Sequence, residues 1–223
     1  RIWQQEYTLL GGLGKLLGLT KPVTDAELAE WEPLVYDSCT LCGRCSMICP
    51  LGIDITYMIR KMREGMAASG HAPEDMVSAT TRAITIGSPM GVKWPAVLAQ
   101  IKHVQADTGI EVPVEREGAD YLVLMSSMEI INFPEYLSAL CRIFKQAGVS
   151  WTLAQDAFEA TNSGIQIGAS DLAREIVNRI VVAAERLKVK CVISPECGHA
   201  FTALRWEGPN LMGRPFGFEV QHI

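Results

Sequence analysis

Along the first half of the chain apolar residues recur at helical spacing. Along the second half they gather into short unbroken runs. Thr24 stands three residues before Glu27, a capping-box pair that predicts a helix through about Val35. Ile55, Met58, Ile59 and Met62 form the next stripe, with Arg60, Lys61, Arg63 and Glu64 between them. This spacing predicts a helix over about 55–69, stopped at Gly70, with the basic residues on a solvated face that is also suited to docking an acidic flavoprotein. Further helices are predicted over about 73–86 and 95–107, separated by a turn at 87–91. Residues 1–23 carry Gly11, Gly12, Gly14, Gly18 and Pro22 and read as loop-rich. The apolar stretch from Thr8 to Leu19 lacks a charged lead and a cleavage site, so it is not a signal peptide. Residues 1–108 thus read as one all-helical domain.

The pattern changes near Gly109. Residues 110–118 read as a polar linker around Pro113. Tyr121–Met125 is an apolar run of strand length, as expected for a buried parallel strand. A helix over about 134–148 follows, with Tyr136, Leu137, Leu140, Ile143 and Phe144 as its stripe. Then come a strand at 149–153, a long helix at 169–187 capped by Ser170, a strand at 191–194, and a turn at 195–199 that leads into a short helix through about Arg205. Alternating strands and helices predict a small parallel α/β sheet over residues 109–223. The expected class is α+β overall: an all-α module followed by an α/β parallel-sheet domain. Ligands of such sheets gather at the carboxyl ends of the strands, here near Ser126, residues 161–164 and residues 194–199.

The chain has 223 residues, 48% of them hydrophobic, enough for two cores. Its formal charge of −5 argues against nucleic acid as a partner. No apolar run approaches the ~18 residues of a membrane span. The chain opens on Arg1, not Met, and closes on the strand-like run 218–223, a pattern expected of a fragment of a longer polypeptide.

Cysteine changes the picture most. Cys39, Cys42, Cys45 and Cys49 follow the spacing C-x2-C-x2-C-x3-C-P, closed by Pro50. Thiolates are soft ligands, and this is the bacterial ferredoxin run for a [4Fe–4S] cluster. Gly43 is expected to let the backbone approach the cluster, and Pro50 to open the next helix. Zinc sites more often use two C-x2-C pairs separated by a longer loop. Reduced thiols and iron–sulfur chemistry imply a cytoplasmic location, peripheral on the inner membrane face where a membrane partner is present. In two-cluster ferredoxins the fourth cysteine of such a run serves the other cluster. Cys49 then belongs to a second cubane with ligands outside this stretch, or one of the isolated Cys141, Cys191 and Cys197 completes the first. Cys141 and Cys191 sit among apolar residues and read as core thiols. Cys197 and His199 lie at a strand-to-helix turn and make Cys197 an additional metal or thiol candidate.

The run 37–55 with 58–65 behind it resembles the second cysteine run of the α-helical ferredoxin module in heterodisulfide-reductase-type subunits. Residues 121–151 and 192–216 resemble a CCG-domain repeat of the same family, in particular of its (Fe–S)-binding oxidoreductases associated with dimethylglycine catabolism and electron-transfer flavoproteins. That resemblance places cysteines at three strand ends. Here the positions read Ser126 or Ser127, then Asn162-Ser163-Gly164, then Ser194 to Cys197, so only Cys197 remains. The family's substrate-reducing cluster therefore transfers to no residue of this chain, and the α/β domain is expected to bind no cluster of its own. The resemblance implies an electron-transfer iron–sulfur subunit, with a flavoprotein donor and a quinone-linked membrane subunit or a disulfide as acceptor. Two rivals are a thiol–disulfide reductase using Cys197 and a zinc-stabilised interaction module.

Overall fold

The computed structural model describes residues 9–19, 23–194 and 197–223. Pro22, Pro195 and Glu196, which the sequence reading used as a stop and a turn, lie outside the described residues, as do residues 1–8. The chain divides into two compact units, Arg1–His71 and Ala72–Ile223.

In the first unit, α1 spans Leu9–Leu16, where the sequence reading expected loop; its glycines are spaced inside an otherwise leucine-rich helix. Helix α2 spans Asp25–Glu32, and the Thr24–Glu27 capping box is present in both directions. At Pro33 the helix loosens into a five-residue π-turn, Pro33–Asp37, which buries Val35 and Tyr36. The short α3, Arg44–Ile48, and the longer α4, Ile55–Ala68, flank the end of the cysteine run. Helix α4 starts at Asp54, whose side chain accepts the Tyr57 N–H. Pro50 therefore ends the cysteine loop without opening the helix. The buried face of α4 also differs from the expected stripe: Arg63 and Met66 are its buried residues, and Met58 is exposed.

In the second unit, α5 (Glu74–Thr85) and α6 (Trp94–Thr108) precede the sheet. The sequence reading grouped both with the cysteine loop, but their apolar faces pack within this unit. Val97, Ile101 and Val104 of α6 share a core with Leu137, Leu140 and Phe144. Arg179 donates from Nη1 to Ala83 O at 2.8 Å and from Nη2 to Ile84 O, closing the end of α5. Four parallel strands follow: β1 (Tyr121–Val123), β2 (Trp151–Thr152), β3 (Cys191–Ser194) and β4 (Glu219–His222), in the order β2-β1-β3-β4. Tyr121 is in register with Trp151 on one side and Cys191 on the other. Side chains alternate between the faces as strand geometry requires. Leu122, Leu124 and Val192 join one core; Val123, Met125 and Ile193 join the other. Both faces are covered, which is why the strand residues read as continuous apolar runs.

The connecting helices are α7 (Ser127–Ile131), α8 (Pro134–Ala147), α9 (Ser163–Ile167), α10 (Ser170–Arg186), α11 (Gly198–Thr202) and α12 (Gly208–Met212). Ser170 is the first residue of α10, not its cap; that position is Ala169, with no side-chain bond. The segment read as a polar linker is built into the fold. Val112 is buried, Val114 bridges Leu153, and Glu115 N–H donates to Leu153 O at 2.9 Å. Among the described residues no helix is long and apolar enough to cross a membrane.

Candidate metal centre

The π-turn Pro33–Asp37 delivers the chain into the cysteine loop, and two left-handed residues shape it: Leu41 at φ 58 and Gly43 at φ 79. A Cβ on Gly43 would meet only Thr56 Oγ1, at 3.9 Å. Backbone conformation, not lack of room, is what asks for glycine there. A non-glycine residue held at positive φ, as Leu41 is, marks backbone strain, which concentrates at functional loops.

Side chains hold the loop at both ends. Downstream, Ser46 on α3 accepts the Thr56 N–H at 3.0 Å and donates to Asp54 Oδ1 at 2.9 Å. Asp54 in turn accepts the Tyr57 N–H at 2.9 Å, so the run is tied to the first turn of α4. These bonds, the Tyr57 N–H first, hold the Asp54 carboxyl below its ordinary range. Upstream, the guanidinium of Arg63 donates to Val35 O from Nε at 3.0 Å and from Nη2 at 2.8 Å, and to Cys39 O from Nη2. The Tyr36 ring lies 5.0 Å from that guanidinium, and its hydroxyl donates to Arg63 O. Arg63 is 0% exposed. The sequence reading placed it with Arg60 and Lys61 on a solvated face; only Lys61, paired with Glu64, is in that position. Tertiary contacts with residues 24–28 positions away bury it, and no local pattern announces them.

Cys42 and Cys45 are exposed, Cys39 and Cys49 half-buried. The Cys42 thiol is held below its ordinary pKa, first by the Arg44 backbone N–H and then by the Thr40 hydroxyl. Among the described residues no three His, Cys, Asp or Glu side chains converge as a metal-holding group, so the four thiols share a loop without meeting at one point. The donor set itself fits an iron–sulfur cluster: four soft thiols, one poised toward its thiolate, on a loop fixed at both ends. Met47, Ile48 and Leu51 stand in solvent beside them.

The other cysteines are placed differently. Cys141 is fully buried on α8, and burial pushes its thiol up to about 11. Burial, reinforced by Glu219, does the same for Cys191, also to about 11. Cys197 caps α11, its sulfur accepting the Ala200 N–H at 3.4 Å, and His199 is exposed. At the strand ends the structure shows oxygen chemistry. Ser126 caps α7 with Glu129 in a second capping box. Ser127 donates its N–H and its hydroxyl to Glu159, at 2.9 and 2.6 Å, and its oxygen lies 2.9 Å from Ser88 Oγ. Burial raises the Glu159 carboxyl above its usual range, partly offset by the Ser127 and Ser88 hydroxyls. Ser163 and Ser194 keep hydroxyl oxygens without a partner among the described residues. Gly164 has a packing role: a Cβ there would lie 2.5 Å from Ala173 N on α10. Sequence reasoning missed Arg63, Ser46 and Glu159. Asp54, after Gly52 and before an apolar helix, had a readable cap signal.

No family model and no solved structure matches the chain. Curated proteins do. An Hdr-like menaquinol oxidoreductase iron–sulfur subunit of Archaeoglobus profundus is 26% identical over 89% of this chain and 37% of its own length. A subunit of the dihydromethanophenazine:CoB–CoM heterodisulfide reductase of Methanosarcina barkeri is 24% identical over 99% of this chain and 53% of its own. A second Hdr-like menaquinol oxidoreductase iron–sulfur subunit, from Archaeoglobus fulgidus, is 26% identical over 72% of this chain and 31% of its own. The chain thus spans about a third to a half of the length of the curated relatives it matches. At modest identity but over most of its length, it is similar to iron–sulfur subunits of the heterodisulfide-reductase type, the family that its cysteine run and strand ends resemble.

Proposed function

We propose that this chain is the electron-transfer part of an iron–sulfur subunit in a heterodisulfide-reductase-type redox complex. Cys39, Cys42 and Cys45 hold a [4Fe–4S] cluster, and Cys49 serves a second cubane whose other ligands come from elsewhere. The observation that carries this reading is the ferredoxin-spaced cysteine run on a loop fixed by Arg63 at its start and by Ser46 and Asp54 at its end. When bound, such a cluster supplies single-electron transfer without making or breaking a substrate bond.

The chain's own residues do the rest. Gly43 and Leu41 turn the loop, and Cys42 is partly prepared as a thiolate. Cys42 and Cys45 face solvent, so their side chains can turn toward a common centre at little steric cost. The exposed Met47, Ile48 and Leu51 suit the close approach of a redox partner. That partner is a flavoprotein on the donor side and a quinone-linked subunit or a disulfide on the acceptor side. The relatives' names, a menaquinol oxidoreductase and a heterodisulfide reductase, support the two acceptor classes. In this reading the helical cysteine module is the cluster domain. The α/β region 109–223 is a scaffold that binds no cluster, since its strand ends offer serine and glutamate oxygens, poor replacements for several sulfurs.

Cys42→Ser tests the reading. Anaerobically reconstituted protein should hold stoichiometric iron and sulfide with a visible absorption that bleaches on reduction. The variant should lose that signal by about tenfold or more while melting like the parent, because Cys42 is exposed. Full iron and an unchanged paramagnetic spectrum in the variant would reject it.

A further inference from the structure

Among the described residues, Arg63 is the one arginine of the cysteine unit that the fold takes wholly out of water. It is also among the largest fully buried side chains of the protein. Its fork reaches two carbonyls at once, Val35 O in the π-turn and Cys39 O at the first cysteine of the run. Tyr36 covers one face of the fork at 5.0 Å, and the Tyr36 hydroxyl holds the Arg63 carbonyl. The position is thus fixed from both the backbone and the side chain. Helix α4 carries the cation, and the tie from Ser46 to Asp54 and Thr56 fixes the other end of the loop on the first turn of the same helix. The cysteines between these ties are the more exposed ones.

Two physical facts give this arrangement a consequence. A buried cation is poorly screened, so it acts strongly on charge that changes nearby. A [4Fe–4S] cluster on four thiolates carries about two negative charges when oxidised and one more when reduced. A fixed positive charge beside one of its ligands therefore favours the reduced form. Neighbouring charge and hydrogen bonds are known levers on such potentials.

We propose that Arg63 is a positioning residue of the cysteine loop whose buried charge raises the reduction potential of the cluster held there. The inference rests on the iron–sulfur reading above. The redox step is one electron from an external reductant into the cluster, with no proton moved and no bond broken. Lysine cannot replace the fork, because an ammonium on a single stem does not span Val35 O and Cys39 O together. It does keep the charge. Glutamine keeps a donor and loses the charge.

The test is a dithionite titration, followed by paramagnetic resonance, of the full reconstituted chain, of Arg63→Gln and of Arg63→Lys, with iron content and a thermal melt for each. At a fixed ambient potential the reduced-to-oxidised ratio should fall about tenfold in Arg63→Gln, which is 59 mV for a one-electron couple. In Arg63→Lys it should stay within about twofold, while iron is lost to a chelator faster than in the parent. A glutamine variant that keeps its iron and its ratio overturns the inference, as does a lysine variant whose ratio falls as far as the glutamine one. If Arg63→Gln does not fold, Arg63→Met takes its place as the neutral variant: a tenfold fall supports the charge role, and a ratio within about twofold of the parent rejects it. A parent chain that takes up no iron removes the cluster reading itself, an outcome seen before any variant is made.

Discussion

Cys42 and Cys141 carry the same thiol, and the fold pushes them in opposite directions. Around Cys42 an amide N–H and a hydroxyl point at an exposed sulfur and favour the thiolate. Around Cys141 apolar packing dominates, and the neutral thiol is favoured. The same contrast holds between the regions that carry them. The cysteine unit leaves apolar residues in solvent beside its thiols and buries a charged one beneath them. The sheet unit buries apolar residues on both faces and keeps Cys141 and Cys191 among them. Exposed thiols on a fixed loop are what a cluster or partner can reach. Buried thiols on helix and strand are what a core uses as small hydrophobes.

Alkylation separates the two classes most widely. In metal-free, reduced protein near pH 8, a thiol at about 11 is ionised about a hundredfold less than one at 9. Burial slows reagent access further. Iodoacetamide followed by peptide mapping should label Cys42 at least about a hundredfold faster than Cys141 or Cys191. Comparable rates at Cys42 and Cys141 would erase the distinction between the two classes.

A second substitution asks whether the buried class is structural only. Cys141→Ser places a hydroxyl among Leu137, Leu140 and Phe144. Burying it should cost about 1–2 kcal/mol, at the low end because a serine on a helix can bond back to the preceding turn. For a unit of this size that lowers the melting temperature by a few degrees, about 2–4 °C per kcal/mol. Iron content should not change. Iron lost in proportion to folded protein would make Cys141 a ligand and break the comparison.

How far these features were legible depends on how local their causes are. The cysteine run, the Thr24–Glu27 box and the β3 run at 191–194 are written in adjacent residues, and the structure forms the box and the strand where sequence puts them. Helix α1 hides behind its glycines, and α7 and α9 are only five residues each, too short for a periodicity to show. Arg63 was least legible. On a helix it looks like its solvated neighbours, and the contacts that make its burial tolerable, the carbonyls of Val35 and Cys39 among them, lie far off in the sequence. Glu159 is the same case in the sheet unit: a carboxylate whose burial depends on Ser127, 32 residues away. Nothing in the local pattern signalled that a buried carboxylate is bonded to a strand-end serine.

That carboxylate supplies the smallest and most specific effect. Glu159 accepts hydrogen bonds from Ser127, just beyond the end of β1, and it is 6% exposed. Burial raises its pKa above the ordinary 4.5. Below 4.5 it is protonated in both the folded and the unfolded chain, and its contribution to stability is fully present. As pH rises past 4.5 the unfolded chain gives up the proton while the folded chain keeps it, so stability falls until the folded pKa is passed. Glu115 and Asp54, held low by their partners, work in the opposite sense, so the parent's own profile mixes both signs. The difference between parent and Glu159→Gln isolates the site. Glutamine keeps an oxygen for the Ser127 N–H and hydroxyl and has no proton to lose. Denaturant melts at a series of pH values should show the variant gaining on the parent steadily from about 4.5 upward, by less than the cost of Cys141→Ser. Parallel profiles would mean that the fold does not raise the Glu159 pKa, so that the Ser127 and Ser88 hydrogen bonds offset its burial.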